Sequence, residues 1–352
     1  MIDWTKSMRQ SFEFYIVDPL TWKDAYPVNS ILSCNINRDS NKTTLGSGIF
    51  NCTENIGECY IRVYLIAIQD GITYKVPIGT RLVQTPSVGF DGKQRKISLD
   101  GYTPLIELKG TLPPIGYSLL KGERIMSAAY RLCREHLRPP VVLSKNSDKL
   151  EYDFISNLDD TWLSFISDLV YNAEYKLWLD ELDRILFKPI QDIASLQPVW
   201  TYNDDNSSIL YPEIEDERDL YNIPNVVEVV YSSGTSQMFS RVVNNDKNSP
   251  VSTVNRGREV VHRITDPNIN GEPTQQYLDD YAKRSLRNLS CLEHKITYTH
   301  GYCPVRIDDC VLLNYKRAGL VNVKAQVISQ AIQCDTGCTV EETAVYTTQL
   351  WR

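Results

Sequence analysis

Residues 59–86 read CYIRVYLIAIQDGITYKVPIGTRLVQTP. An apolar, β-branched run is followed by Asp70-Gly71, a two-residue turn signal, and then by more strand formers. The stretch predicts a β-hairpin: an apolar strand, a tight turn and returning strands. Its neighbours have the same character. Upstream, FEFYIV (12–17) stops at Asp18-Pro19, and SILSCNINRD (30–39) alternates, with Ile31, Cys34 and Ile36 between polar residues. A Gly-rich turn, LGSG, occupies 45–48. Downstream, Asp91-Gly92 marks another turn before KISLDGYTPLIELKG. Pro27, Pro77, Pro86 and Pro104 fit strand ends, where a missing N–H costs least. Strand after strand without a long helix points to an antiparallel barrel or sandwich.

The rhythm changes near Pro113-Pro114. GERIMSAAYRLCREHL (122–137) carries Ile125, Met126, Ala129, Leu132 and Cys133 at helical spacing, and Pro139-Pro140 stops it. DDTWLSFISDLVYNAEY (159–175) predicts a second helix, capped by Asp159 or Asp160, with Trp162, Ile166, Leu169 and Ala173 on one face. KLWLDELDRILFKP (176–189) reads as two strands around a turn at Asp180–Asp183. Residues 200–224 are polar and read as a solvated connector. Their acids (Asp204, Asp205, Glu213, Glu215, Asp216, Glu217 and Asp219) lack calcium-loop spacing. NVVEVVYSS (225–233) is a strand, and 240–267 mixes strands and turns. Thr274 opens a helix with Tyr277, Leu278, Tyr281, Ala282 and Leu289 inward, after which strands return from Cys291 onward.

The totals exclude several classes. In 352 residues, 37 basic against 44 acidic side chains give a formal charge of −7, which argues against a nucleic-acid binder. No stretch approaches the length of a membrane span. No apolar segment preceded by positive charge opens the chain, so no export signal is expected. Nine cysteines, an odd number, then fit free thiols in a reducing cytoplasm. Tyrosine is abundant, at 21 residues, and suits strand faces and subunit contacts.

Chemistry would most naturally be sought in HGYCPVRIDDCVLLNY (300–315) and CDTGC (334–338). The spacings Cys303/Cys310 and Cys334/Cys338 are not the CxxC pairs of zinc sites. Whether these four cysteines and His300 bind a metal stays open from sequence. Asp335 and Gly337 make the second pair a hairpin tip without a disulfide. A thiol nucleophile needs a base and an orienting group, and no protease signature surrounds any cysteine or any of His136, His262, His294 and His300. Nucleophile-elbow, P-loop, dinucleotide-binding and metalloprotease patterns are missing as well. The simplest reading places Val305, Arg306 and Ile307 on one strand, turns the chain at Asp308-Asp309, and uses the cysteines as small strand residues.

The order of these segments resembles the central hub proteins of bacteriophage tails, also called baseplate hub or tail-associated proteins. The carrying pieces are INRDSNKTTLGSG, YIRVYLI, PIGTRLVQTP and DGKQRKISLDGYTPLIELK in the first part. NLDDTWLSFISDLVYNAEYKLWLDELDRILFKP follows in the middle, and QQYLDDYAKRSLRNL and HGYCPVRIDDCVLLNYKRAGLVNVKAQVISQAI near the end. Asp308-Asp309 stands where hub proteins often have Gly-Asp. The chain stops at Trp351-Arg352 without an appended lysozyme, peptidase or fibre domain.

The resemblance implies an α+β, mainly β fold. Two antiparallel tail-tube-like β-barrel domains (1–113 and 225–352, the latter with a helical insertion at about 274–290) flank a helix-plus-hairpin α/β module (114–200) and the connector (201–224). It implies a homotrimeric ring that adapts a sixfold tail tube to a threefold tip around the DNA-exit channel. Its partners would be distal tail or tube proteins, the tape-measure protein and tail fibre or spike proteins, within a virion assembled from protein made in the host cytoplasm. It implies no enzymatic activity, no catalytic, cofactor-binding or metal residues, no cofactor, no specific nucleic-acid binding and no membrane span. A tail component that binds or cleaves host-surface glycans is the alternative.

Overall fold

A computed structural model of the chain describes residues 2–90, 92–93, 95–206, 208–233, 236–265, 267 and 274–351; Asp91 of the expected Asp91-Gly92 turn lies outside them. The chain divides into two compact units, Met1–Glu213 with Tyr298–Thr343, and Ile214–Thr297 with Ala344–Arg352.

The first unit opens with β1 (Arg9–Val17), β2 (Asp24–Pro27), β3 (Ile31–Asp39), β4 (Gly46–Cys52), β5 (Cys59–Gln69), β6 (Ile72–Phe90) and β7 (Arg95–Tyr102). They hydrogen-bond in the order β2-β1-β5-β6-β7-β4-β3. The hairpin that opened the sequence reading is β5–β6, with Gln69 opposite Ile72. Asp70 and Gly71 both take positive φ (52° and 78°), the geometry that a two-residue turn between twisted strands requires. Pro77 and Pro86 lie inside β6, not at its ends, and each sits at a break in register, where a missing donor leaves no ladder bond empty.

A helical module follows: α1 (Ile106–Lys109), β8 (Ser118–Leu119), α2 (Ile125–His136), β9 (Phe154–Ile155), α3 (Trp162–Tyr171), β10 (Tyr175–Leu179) and β11 (Ile185–Pro189). Leu132 and Cys133 of α2 and Phe165, Ile166 and Leu169 of α3 share one apolar core with Leu177 and Ile185 of the hairpin. The α3 cap is Thr161, rather than Asp159 or Asp160. Its hydroxyl accepts from Ser164 N while Ser164 Oγ accepts from Thr161 N, a reciprocal capping box. The helix ends at Tyr171, and Ala173 is buried beyond it.

The stretch expected to be a solvated connector contains two strands, β12 (Trp200–Asn203) and β13 (Leu210–Arg218). Its charges are compatible with pairing because Glu213, Glu215 and Glu217 alternate outward and are exposed, while Asp216 meets His294. The second unit contains β14 (Val226–Ser233), β15 (Ser236–Val243), α4 (Thr253–Arg256), β16 (Val261–Ile264) and α5 (Gln275–Leu289). β14 pairs antiparallel with β15 and parallel with β16. Leu278, Ala282 and Leu286 of α5 pack on Val227 and Val229. Tyr277 and Leu289, expected inward, are exposed, because the stripe that meets the sheet runs 278–282–286.

β17 (Cys291–Gly301) leads back to the first unit, where β18 (Cys310–Asn314) and β19 (Val323–Cys334) lie; β20 (Thr339–Gln349) ends the order. β19 pairs with β3 from Ser329–Asp39 to Cys334–Cys34, and β18 joins β19 to β12. Residues 298–343, expected in a C-terminal domain, thus extend the sheet begun by residues 9–102.

Candidate functional site

The segment 302–309 is not a strand. Tyr302, Cys303, Val305, Arg306 and Ile307 are all buried, so no in–out alternation exists. Arg306 turns inward and donates from Nη2 to the carbonyls of Leu179 (2.8 Å) and Asp180 (3.1 Å), and its guanidinium lies 4.9 Å from the Trp178 ring centre. Burial, chiefly, lowers its pKa to about 10. Asp308 takes φ 70° and swings the chain into β18.

His300 and Cys303 do converge, but on a buried carboxylate that sequence reasoning did not single out. Glu342 of β20 is fully buried and accepts hydrogen bonds from Tyr298 Oη (2.5 Å), Tyr202 Oη (3.2 Å) and Gln330 Nε2 (2.6 Å). His300 Nε2 stands 3.5 Å from its Oε2. His300 Nδ1 lies 2.7 Å from the Gly301 carbonyl, which can only accept, so Nδ1 carries a proton. Burial opposes the imidazolium, but the contacts with Cys303 and Glu342 outweigh it and raise His300 to about 10. Burial likewise opposes the Glu342 charge, yet the facing His300 and the donors from Tyr298 and Gln330 hold it below its ordinary value. Both shifts favour the charged forms, with His300 Nε2 also 3.1 Å from Tyr202 Oη and the carboxylate held by Tyr298, Tyr202 and Gln330.

The network continues outward. Gln330 Oε1 accepts from Arg38 Nη1 (2.9 Å), and Arg38 Nη2 donates to the Ile78 carbonyl (2.7 Å). Beside it, Arg81 pairs with Asp183, whose carboxylate also accepts from Thr80 N at 2.5 Å. Arg81 and Asp183 are buried, and they tie β6 to the β10–β11 turn.

Chemically this arrangement locks elements together. Cys303 Sγ is 3.4 Å from Tyr202 Oη and 3.9 Å from His300 Nδ1, but that nitrogen's proton goes to Gly301 and both side chains are sealed from solvent. That burial closes the thiol off from any dissolved reactant. Cys310 begins β18 and Cys334 ends β19, as the strand-residue reading requires, whereas Cys303 stands outside any strand. Cys334 faces Cys34 across the β19–β3 pair, and all nine cysteines are free. Among the described residues no group of three or more His, Cys, Asp or Glu is arranged to hold a metal.

Tyr202, Tyr298, Gln330 and Glu342 went unnoticed because they meet only in three dimensions. A signal did exist for some. Extending the Cys34–Ile36 alternation by one step puts Arg38 inside, and Val340–Glu342–Ala344 and Ile296–Tyr298–His300 are likewise buried period-two sets.

No family model and no curated protein matches the sequence. Solved structures do. The tail protein from Neisseria meningitidis MC58 superimposes with a TM-score of 0.63 at 14% identity, covering 96% of this chain and 97% of that one. The chain has the fold of bacteriophage tail proteins. The 43 kDa tail protein of prophage MuSo2 from Shewanella oneidensis gives 0.62 at 12% identity, covering 95% and 98%. A chain of the Francisella PdpA–VgrG complex gives 0.56 at 7%, covering 97% of this chain but 58% of its own length. The tail-protein resemblance read in the sequence thus holds for the fold across nearly the whole chain, and the mainly β class with it. Within this tail-protein fold no helix among the described residues is long and apolar enough to cross a membrane.

Proposed function

We propose that this protein is a structural hub at the tip of a phage tail. Three copies form a ring that matches a sixfold tube to a threefold tip and encloses the channel through which DNA leaves. Each copy contributes two tube-like β modules, one from residues 1–113 together with β18 and β19 and one from the rest of 225–352, and residues 114–200 form a further module that lies between them in sequence. The remaining partners are tube, tape-measure and fibre or spike proteins.

The observation that carries this reading is the likeness in fold to two tail proteins, which spans 97% and 98% of their chains. The buried ion pairs support the same reading, because a sealed polar network stiffens a scaffold and offers no surface to a substrate. A net charge of −7 suits a channel that lets phosphates pass instead of binding them. The test is the mass in solution at micromolar concentration. Three copies of the 40.3 kDa chain are expected, and a single copy at every concentration would remove the ring.

A further inference from the structure

A cavity of about 520 Å³ opens in the first unit between α3 and the turn that joins β3 to β4. Small-molecule sites have volumes of roughly 300–1,000 Å³. The two faces of α3 explain its lining. Trp162, Phe165, Ile166, Leu169 and Val170 turn to the helical core. The other stripe, Ser164, Ser167, Asp168 and Tyr171, recurs every three or four residues and lines the cavity. The turn supplies Asn41, Lys42 and Thr43, and Lys109 and Tyr175 complete the polar lining. Leu45, Leu163 and Leu177 give it an apolar wall.

The turn is fixed from several sides. Ser40 N donates to the Ile328 carbonyl (2.9 Å), Leu45 N to the Lys42 carbonyl (2.9 Å), and Thr103 Oγ1 to the Thr44 carbonyl. Leu45 holds the left-handed φ of 59° and packs on the helical core. The polar side chains around the cavity, by contrast, are unspent. Those of Asn41, Thr43, Ser167, Asp168, Tyr171 and Tyr175 make no hydrogen bond or ion pair among the described residues, and neither Lys42 nor Lys109 meets a carboxylate there. The neighbouring charges are engaged: Lys176 with Asp308 (2.6 Å), Asp39 with Asn41 N (2.9 Å), and Asp160 with Asn157 N (2.7 Å) and Ser164 Oγ (3.1 Å).

The two free signs of charge narrow the ligand. A cation would meet Lys42 and Lys109, and a bare anion such as phosphate would meet Asp168. Both signs are satisfied by a molecule that offers hydroxyl donors to the carboxylate and a carboxylate of its own to the lysines. The leucines and tyrosine rings also call for an apolar C–H face. We propose that this cavity binds an acidic saccharide, with ring hydroxyls on Asp168, its carboxylate at Lys42 and Lys109, and its C–H face against Tyr171 and Tyr175. This adds a ligand site to the structural role and does not depend on the number of copies in the assembly.

The test is calorimetric titration of the full chain with digalacturonate and a hyaluronan disaccharide, and with inorganic phosphate and the tripeptide Gly-Glu-Gly for comparison. At least one of the two saccharides should bind at millimolar concentration or below. D168N and K42A/K109A should each weaken it about tenfold, the loss of a charge-assisted hydrogen bond, while E151Q, which lies outside the cavity, should not. Asp168, Lys42 and Lys109 are exposed, so these variants keep the core, and thermal unfolding verifies it. Neither saccharide binding, binding undiminished in D168N, or phosphate or the tripeptide binding as tightly would each overturn the site and leave the hub reading standing.

Discussion

The first unit is held together in two different ways. Residues 104–179 bury no charged side chain; their interior is aliphatic and aromatic, with Met126 and Cys133 among the Leu, Ile, Val, Ala, Phe and Trp, and Trp162 stacked 4.3 Å from the half-buried His136. The sheet, the segment 302–309 and the β10–β11 turn, by contrast, bury Arg38, Arg62, Arg81, Asp180, Asp183, His300, Arg306 and Glu342. An apolar interior tolerates local change in proportion to the volume lost. A buried charge lattice responds according to which partner is left behind, because an orphaned charge is far more costly than a missing methylene. The two halves should therefore react differently to mutation.

The sharpest contrast is expected at Arg81 and Asp183. Arg81→Met or Asp183→Leu alone should cost about 3–5 kcal/mol, since each strands its partner in the interior, while the double change should cost much less than the sum. Denaturant unfolding of the four proteins measures this, and strict additivity would mean that the pair is not coupled. In the helical module, Leu169→Ala should cost about 2–5 kcal/mol with no such dependence on a partner. Thr161→Ala, which removes only the α3 cap, should cost about 1 kcal/mol.

A smaller, graded difference should appear with pH. His300 is raised from 6.5 to about 10, so between these values the folded state binds the extra proton. Its contribution is complete below pH 6.5 and is lost as pH rises towards about 10. Glu342 has a depressed pKa, so its contribution is present above its ordinary 4.5 and is lost as pH falls through the folded value. Melting should therefore be highest at mildly acidic pH and decline toward pH 9–10, and Glu342→Gln should flatten that alkaline slope. A slope unchanged by the substitution would show that the His300–Glu342 pair is not its source.

The same contrast explains how much could be read from sequence. The β5–β6 hairpin was legible because Asp70-Gly71 and an apolar run are local signals. The α2 and α5 helices were legible from their spacing, although Tyr277 and Leu289 face outward because a period alone does not fix which edge of the stripe meets the sheet. Thr161 was passed over as the cap because two aspartates precede it, yet only Thr161 has Ser164 three positions on. The lattice was opaque. Glu342 meets Tyr202 across 140 positions and Arg38 meets Gln330 across 292, and no spacing rule reaches that far. Segment 302–309 was misread for a related reason: Val305, Arg306 and Ile307 were taken as alternating residues of one strand, whereas the Arg306 guanidinium is bound to carbonyls of Leu179 and Asp180.

Projection images of the purified protein in negative stain probe the hub assembly most directly. Class averages with threefold symmetry around a central opening are the expected result. Solitary particles of one 40 kDa chain, at concentrations where tail components assemble, would contradict it.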